Sequence, residues 1–477
     1  MTMIRRKTMS WGALSPQPQT EPRPQSGASV VPYIANLKLF SIVVWACLTL
    51  GLAALSLPVQ AAPPSPGSPA LSPGGVLNYE EAVRIALTQS PYITKSSLEI
   101  DLKKLDETDS RYGLIPSIDF RTYYYPNRPV NSTGPPYNLN FSTDPSYNPI
   151  ASYFTLQAQK LATEVAVLTH LKTISFGLAR LGQLFLELEY IKNQTLILKD
   201  RINVFREQLS YAENRFSAGT GTSLQVKTAQ QGVKMANNEL EHLAFLRKKA
   251  LDNLKNFLGL PPTQDLNPDL QNTHRQVLGN FDPGSVTLEQ AKARSYDLKI
   301  IDIGLKLQEY NIKLAKAKTL PTVLFTTATP DPLSSTNYGF YAGFGLYVPI
   351  WDGFKRIRNV TRQKIVMKQY DTGKNQAETE LENKLLESQG QVKEAAFMMQ
   401  AAQSDLELIQ LKARQIEISY QSGGVPLSEV LDTRKEVLMA KKEALLKAMD
   451  LNKATLALRQ ISGDLGHTYV NASSFQK

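Results

Sequence analysis

The chain has 477 residues, 42% hydrophobic but only 8% aromatic, and a formal charge of +10. Its charges are interspersed without a basic block, which gives nucleic-acid binding little support. Cys47 is the only cysteine, and His170, His242, His274 and His467 are scattered with no H-x-x-x-H spacing, so the sequence shows no catalytic constellation, metal motif or cofactor motif.

Residues 1–61 read as a secretory signal with an extended basic and Pro-rich preamble. Arg5, Arg6, Lys7 and Lys38 supply positive charge, the run from Leu39 to Leu57 supplies an apolar core, and Val59 and Ala61 stand at the −3 and −1 positions of a cleavage site. That apolar run is also long enough to span a bilayer, so an uncleaved anchor is the competing reading. Cys47 falls within it, which leaves the mature chain without a thiol. The mature chain has 48 basic and 42 acidic residues, for a net charge of +6. A Pro-rich linker, 62–76, follows.

The remainder repeats itself with an offset near 204. "LIPSIDF" (114–120) matches "TLPTVLF" (319–325), aligning Pro116 with Pro321 and Phe120 with Phe325. "RFSAGTGTSLQV" (215–226) matches "SYQSGGVPLSEV" (419–430), aligning Gly219 with Gly423 and Val226 with Val430, and Gly259 matches Gly463. A period this long means two tandem copies of one unit, 77–260 and 286–465, with an inter-repeat linker at 261–285 and a tail at 466–477.

Each copy has the same order of expected elements. A short helix pair (78–113; 286–318) precedes a strand (117–125; 322–329), a polar loop and a second strand (150–159; 339–350). A very long helix (160–217; 352–421) then turns at a Gly-bearing tip (217–223; 421–427) into a second long helix (222–258; 426–462). In the first long helix Leu181, Leu184, Leu188, Ile191, Thr195, Leu198, Ile202, Phe205, Leu209, Ala212 and Phe216 keep a 3,4 spacing. Met399, Ala402, Leu406, Ile409, Ala413, Ile416 and Tyr420 do the same in the second copy. Heptads sustained this far mean coiled-coil packing. At ~1.5 Å per residue such helices reach roughly 80 Å, which requires other rods beside them.

The strand "FYAGFGLYVPI" (340–350) places Phe340, Ala342, Phe344, Leu346, Val348 and Ile350 on one face, with Tyr341, Gly343, Gly345 and Tyr347 on the other. Either a buried sandwich or lipid suits the apolar face. "IDFRTYYY" (118–125) alternates Ile118, Phe120, Thr122 and Tyr124 with Asp119, Arg121 and Tyr123, as a wet lumen requires. Four strands cannot close a barrel alone, so in a membrane several chains complete one. Pro349 lacks an N–H and ends strand pairing, and Gly353 eases the crossover into the helix. The first copy has "QAQKLATEV" (157–165) at its expected crossover, without a proline.

The two-fold repeat, "GFGLYVPIWDGFKR" leading into a long helix, and the paired aromatic-x-x-Gly tips resemble the TolC-like outer-membrane efflux proteins over about residues 77–465. The resemblance implies a mainly α fold with a β-barrel portion, in which coiled-coil helices form an α-barrel. Four strands per protomer enter a trimeric transmembrane β-barrel. It implies no enzyme activity and no cofactor. The partners it implies are two further copies of the chain, a periplasmic adaptor, an inner-membrane transporter and the lipid bilayer, with an export duct in the outer membrane and its helical part in the periplasm. It places the gate at Glu429 and Asp432, on one helix face, with Tyr420 matching an aromatic latch. It places adaptor contacts at the tips, Gly219, Thr220, Gly423 and Gly424. Val425 departs from the pattern, because some members carry an arginine there. The residues themselves also admit two plainer readings: Glu429 and Asp432 as a solvated helix N-terminus, and the chain as a non-pore coiled-coil scaffold or adaptor of the cell envelope.

Overall fold

A computed structural model describes residues 76–124, 137–144, 147–328, 341–348 and 350–469. The expected signal, the Pro-rich linker up to residue 75 and Pro349 lie outside the described residues. The described residues open on a two-residue strand, β1 (Val76–Leu77), then α1 (Tyr79–Gln89) and α2 (Pro91–Tyr112). Strands β2 (Ile118–Tyr124) and β3 (Tyr137–Thr143) precede a helical hairpin of α3 (Pro149–Ser217) and α4 (Ser223–Leu258). A connecting segment carries β4 (Asn267–Pro268) and α5 (Thr273–Leu278). The pattern then recurs as α6 (Leu288–Arg294), α7 (Tyr296–Ala317), β5 (Thr322–Ala328), β6 (Tyr341–Tyr347), α8 (Lys355–Gln421) and α9 (Leu427–Ile461), and α10 (Asp464–Tyr469) follows. None of these helices is apolar enough to cross a membrane.

One expected strand is corrected. Residues 150–159 are helical and form the start of α3, and the second strand of the first copy is "YNLNFST" at 137–143. The physical reason is a cap. The Asn148 side chain accepts hydrogen bonds from the backbone N–H groups of Ile150 and Ala151, both at 3.0 Å. Pro149 follows at the first helical position, where its missing N–H is no loss. The first crossover therefore lies at 144–149 and does contain a proline; 157–165 is helix interior.

The four long strands form one antiparallel sheet in the order β2-β3-β5-β6, so the two copies meet at β3 and β5. Phe120 pairs with Phe141, which pairs with Thr327, and Phe325 pairs with Phe344. Strand periodicity then puts Ile118, Phe120, Val323, Phe325, Phe344 and Leu346 on a single face. The other face carries Asp119, Arg121, Tyr123, Gly343, Gly345 and Tyr347. Phe344 is 83% exposed and Leu346 66%, so no second layer among the described residues covers the apolar face. Of the two readings open from the sequence, the buried sandwich does not form among the described residues.

Two side chains fasten sheet to helices. Tyr147 donates to the Leu114 carbonyl at 2.6 Å, just past α2, and the Asn148 amide donates to the Ala317 carbonyl, the last residue of α7, at 2.9 Å. Adjacent residues thus satisfy the exposed ends of equivalent helices in both copies.

The main core sits midway along α3. Leu77, Tyr79, Ile174, Leu178, Phe185, Leu254, Leu258, Val277 and Leu456 belong to one buried cluster, and Tyr79 meets Phe185 edge-on at 5.5 Å between centroids. Backbone contact here is close. A Cβ on Gly182 would stand 2.8 Å from Val277 and 3.1 Å from Leu456, so only glycine admits α5 and α9 against α3. Arg459, 5% exposed, donates to Asp464 at 2.8 Å and to the Val277 carbonyl at 2.9 Å, which anchors the end of α9 to α5.

Candidate gate at the hairpin tips

Both hairpins reverse through the same turn. At the first tip the N–H of Thr220 returns to the Arg215 carbonyl at 2.9 Å and that of Gly219 to Phe216 at 3.0 Å. At the second, Gly424 returns to Ser419 at 2.8 Å and Gly423 to Tyr420 at 3.0 Å. These are helix-ending motifs that need a left-handed residue, and Gly219 (φ 74°) and Gly423 (φ 79°) supply it. The following helices start differently. Thr222 and Gln225 form a reciprocal capping box on α4, whereas Pro426 precedes α9 without a side-chain cap.

Of the expected gate residues, Glu429 and Asp432 occupy the first turns of α9 and Tyr420 the last turn of α8. Asp432 accepts from the Gln208 amide of α3 at 2.9 Å and pairs with Lys435 at 2.8 Å. Glu429 stands in the first turn, where the helix dipole favours a carboxylate. Tyr420, 41% exposed, makes no hydrogen bond to either carboxylate among the described residues.

Sequence reasoning missed the arginine that ties this region together. Arg434 of α9 reaches Glu207 of α3 at 3.2 Å and Glu417 of α8 at 3.1 Å. Farther from the tip, Glu239 of α4 receives Lys442 of α9 at 2.8 Å and Arg201 of α3 at 3.1 Å. Burial pushes the Glu239 carboxyl up, but the two cations together outweigh it and hold it below its ordinary value. Phe205 lies between two cations, with Arg201 and Lys435 each 5.4 Å from its ring centroid. The apolar contact beneath these ties is small: Val204, Leu431 and Leu438 are its buried members. Glu207 and Arg434 lie 227 residues apart, so no local spacing announces their pairing.

At the opposite end of α8, Gly353 (φ 64°) and Phe354 (φ 61°) are consecutive left-handed residues. For phenylalanine this is a strained conformation. Asp352 accepts from the backbone N–H groups of Lys355 and Arg356, both at 3.1 Å, and so starts the helix directly after the reversal.

Residues 287–464 match the family model of outer membrane efflux proteins. No curated protein matches the chain in sequence. Among solved structures, the chain is similar to CusC, described in a study of folding and transmembrane channel formation, with a TM-score of 0.68 at 14% identity over 81% of this chain and 92% of that one. The outer membrane channel CmeC of Campylobacter jejuni gives 0.66 at 13% identity over 83% and 88%. The outer membrane protein VceC of Vibrio cholerae gives 0.63 at 13% identity over 81% and 96%. At such identities the likeness is one of fold. In the sequence of its second copy the chain thus resembles the outer membrane efflux proteins, and across both copies it has the fold of the TolC-like channels.

Proposed function

We propose that several copies of this chain, three by family resemblance, assemble into an export duct whose sheet crosses the outer membrane and whose helices extend into the periplasm. The observation that carries the reading is the pairing of two unpartnered apolar surfaces on one chain. The first is the sheet face of Ile118, Phe120, Val323, Phe344 and Leu346, between 40% and 83% exposed, on a sheet whose outer strands β2 and β6 have no further partner among the described residues. An open edge in lipid leaves backbone groups unsatisfied, and pairing β6 of one copy with β2 of the next removes every edge. The second surface lies along α8. Its inward heptad is partly covered, with Ala402 buried and its neighbours half-buried, while Phe397, Leu408, Leu411 and Ile418, on another face, are 55–71% exposed. A rod with two apolar faces packs between two neighbours, which closes helices into a barrel.

In this reading Glu429 and Asp432 ring the periplasmic aperture, and the Arg434 tie keeps the α8/α9 hairpin against α3. The tips carrying Gly219, Thr220, Gly423 and Gly424 meet an adaptor, and an inner-membrane pump supplies the energy. The test is single-channel conductance of the purified protein in planar bilayers, wild type against Glu429→Ala/Asp432→Ala. Small cation-selective currents that grow and lose selectivity in the double variant support the reading. No current from folded, membrane-extracted protein would overturn it in favour of a coiled-coil scaffold.

A further inference from the structure

The seam where the sheet meets the helices contains a cavity of about 910 Å³ between the start of α3, the end of α7, strands β5 and β6 and the first turns of α8. Its charged lining is entirely cationic: Lys318, Lys355, Arg356, Arg358 and Arg362. Two of these cations are engaged. Arg356 pairs with Asp352 at 3.5 Å, and Arg358 donates to the Gly353 carbonyl at 2.7 Å. The side chains of Lys318, Lys355 and Arg362 have no ion pair and no hydrogen bond among the described residues. Holding five like charges around one cavity raises its potential, and a multivalent oxyanion is what relieves it.

The surroundings narrow the source of that anion. Immediately before four of these cations in the chain stand Ile350 (94% exposed), Trp351 (74%) and Phe354 (55%), and Trp351 meets Phe354 edge-on at 5.0 Å. Exposed aromatic residues beside lysine and arginine, at the end of an apolar strand, are the pattern of a membrane interface. A soluble anion needs no such apolar neighbours, but a phosphate carried on acyl chains does. We infer that this seam is a binding site for the phosphate headgroup of an anionic phospholipid. Lys318, Lys355 and Arg362 take the phosphate, while the apolar residues lie along the acyl chains. The inference rests on the membrane placement of the sheet proposed above.

The test uses the detergent-solubilised full chain, titrated with dioleoylphosphatidylglycerol, dioleoylphosphatidylcholine and inorganic phosphate, with bound lipid counted by native mass spectrometry and phosphate followed by calorimetry. The wild type is expected to hold phosphatidylglycerol at least tenfold more tightly than phosphatidylcholine. The exposed substitutions Lys318→Gln/Lys355→Gln/Arg362→Gln should abolish that preference, with helicity unchanged by circular dichroism. Equal affinity for the two lipids, or a preference intact in the triple variant, would overturn the site. Inorganic phosphate bound as tightly as phosphatidylglycerol would overturn the lipid assignment. Conductance measured alongside keeps the two proposals separate: a conducting protein without lipid preference overturns this inference alone, and a non-conducting one overturns the duct.

Discussion

Helices α3 and α8 occupy equivalent places in the two copies and have nearly equal lengths, 69 and 67 residues, yet they are buried very differently. Twenty-one residues of α3 are buried, against four of α8 (Leu385, Ser388, Val392 and Ala402). The difference does not come from the heptad, which both helices carry. It comes from neighbours: α3 is surrounded by α1, α2, α4, α7, α9 and the connecting segment, whereas α8 has α7, α9 and the short α6 beside it. The single chain thus completes the environment of one rod and leaves the other largely exposed. Burial follows the number of packed neighbours more than local propensity.

The sharpest way to break this comparison is to empty the core around α3. Phe185→Ala removes a fully buried ring and should destabilise the chain by about 3–5 kcal/mol. Ile365→Ala on α8, 55% exposed, should change the stability of the solubilised single chain by less than about 0.5 kcal/mol. Comparable thermal shifts for the two would contradict the account.

Glycines sharpen it next. Gly182→Val forces a side chain into Val277 and Leu456 and should cost about 1–3 kcal/mol. At Gly390 of α8 a Cβ meets nothing within 4 Å, so Gly390→Ala should stabilise the single chain by roughly 0.5–1 kcal/mol. Denaturant titration of both reads the opposite signs directly.

Much of this was legible in the sequence because the repeat exposes the joints. All four glycines matched between copies, Gly219, Gly423, Gly259 and Gly463, have positive φ between 74° and 79°, as helix-ending turns require. The long helices and three of the four strands follow from periodicity. The strand at 137–143 did not, since its asparagines and threonine read as loop; there it is tertiary pairing with β2 and β5 that makes a strand. The carboxylates proposed for the gate, Glu429 and Asp432, were singled out only by resemblance. Arg434 was not legible at all, because its two carboxylates come from distant turns of other helices.

Smaller effects concern the tip. Arg434→Ala removes two half-exposed ion pairs and should cost less than about 1 kcal/mol in stability, yet it should increase single-channel conductance if the tie holds the hairpin. An unchanged conductance would reduce Arg434 to a surface pair. The smallest effect is with pH. The folded Glu239 carboxyl sits below its ordinary value of 4.5, so its contribution is full above that pH and disappears as pH falls through the lowered folded value. Melting temperature followed from pH 7 downward should therefore fall more steeply below about 4.5 in the wild type than in Glu239→Gln. Parallel slopes would show that the tie contributes nothing.

The central claim is that further copies of the chain cover the outer stripe of α8. Leu411, 55% exposed in the single chain, lies in that stripe. The direct measurement is the maleimide labelling rate of a Leu411→Cys variant, also carrying Cys47→Ser, in native membranes and after unfolding in urea. The account predicts labelling at least tenfold slower in the native membrane. Equal rates would mean that the stripe faces solvent and that no neighbouring copy closes the barrel.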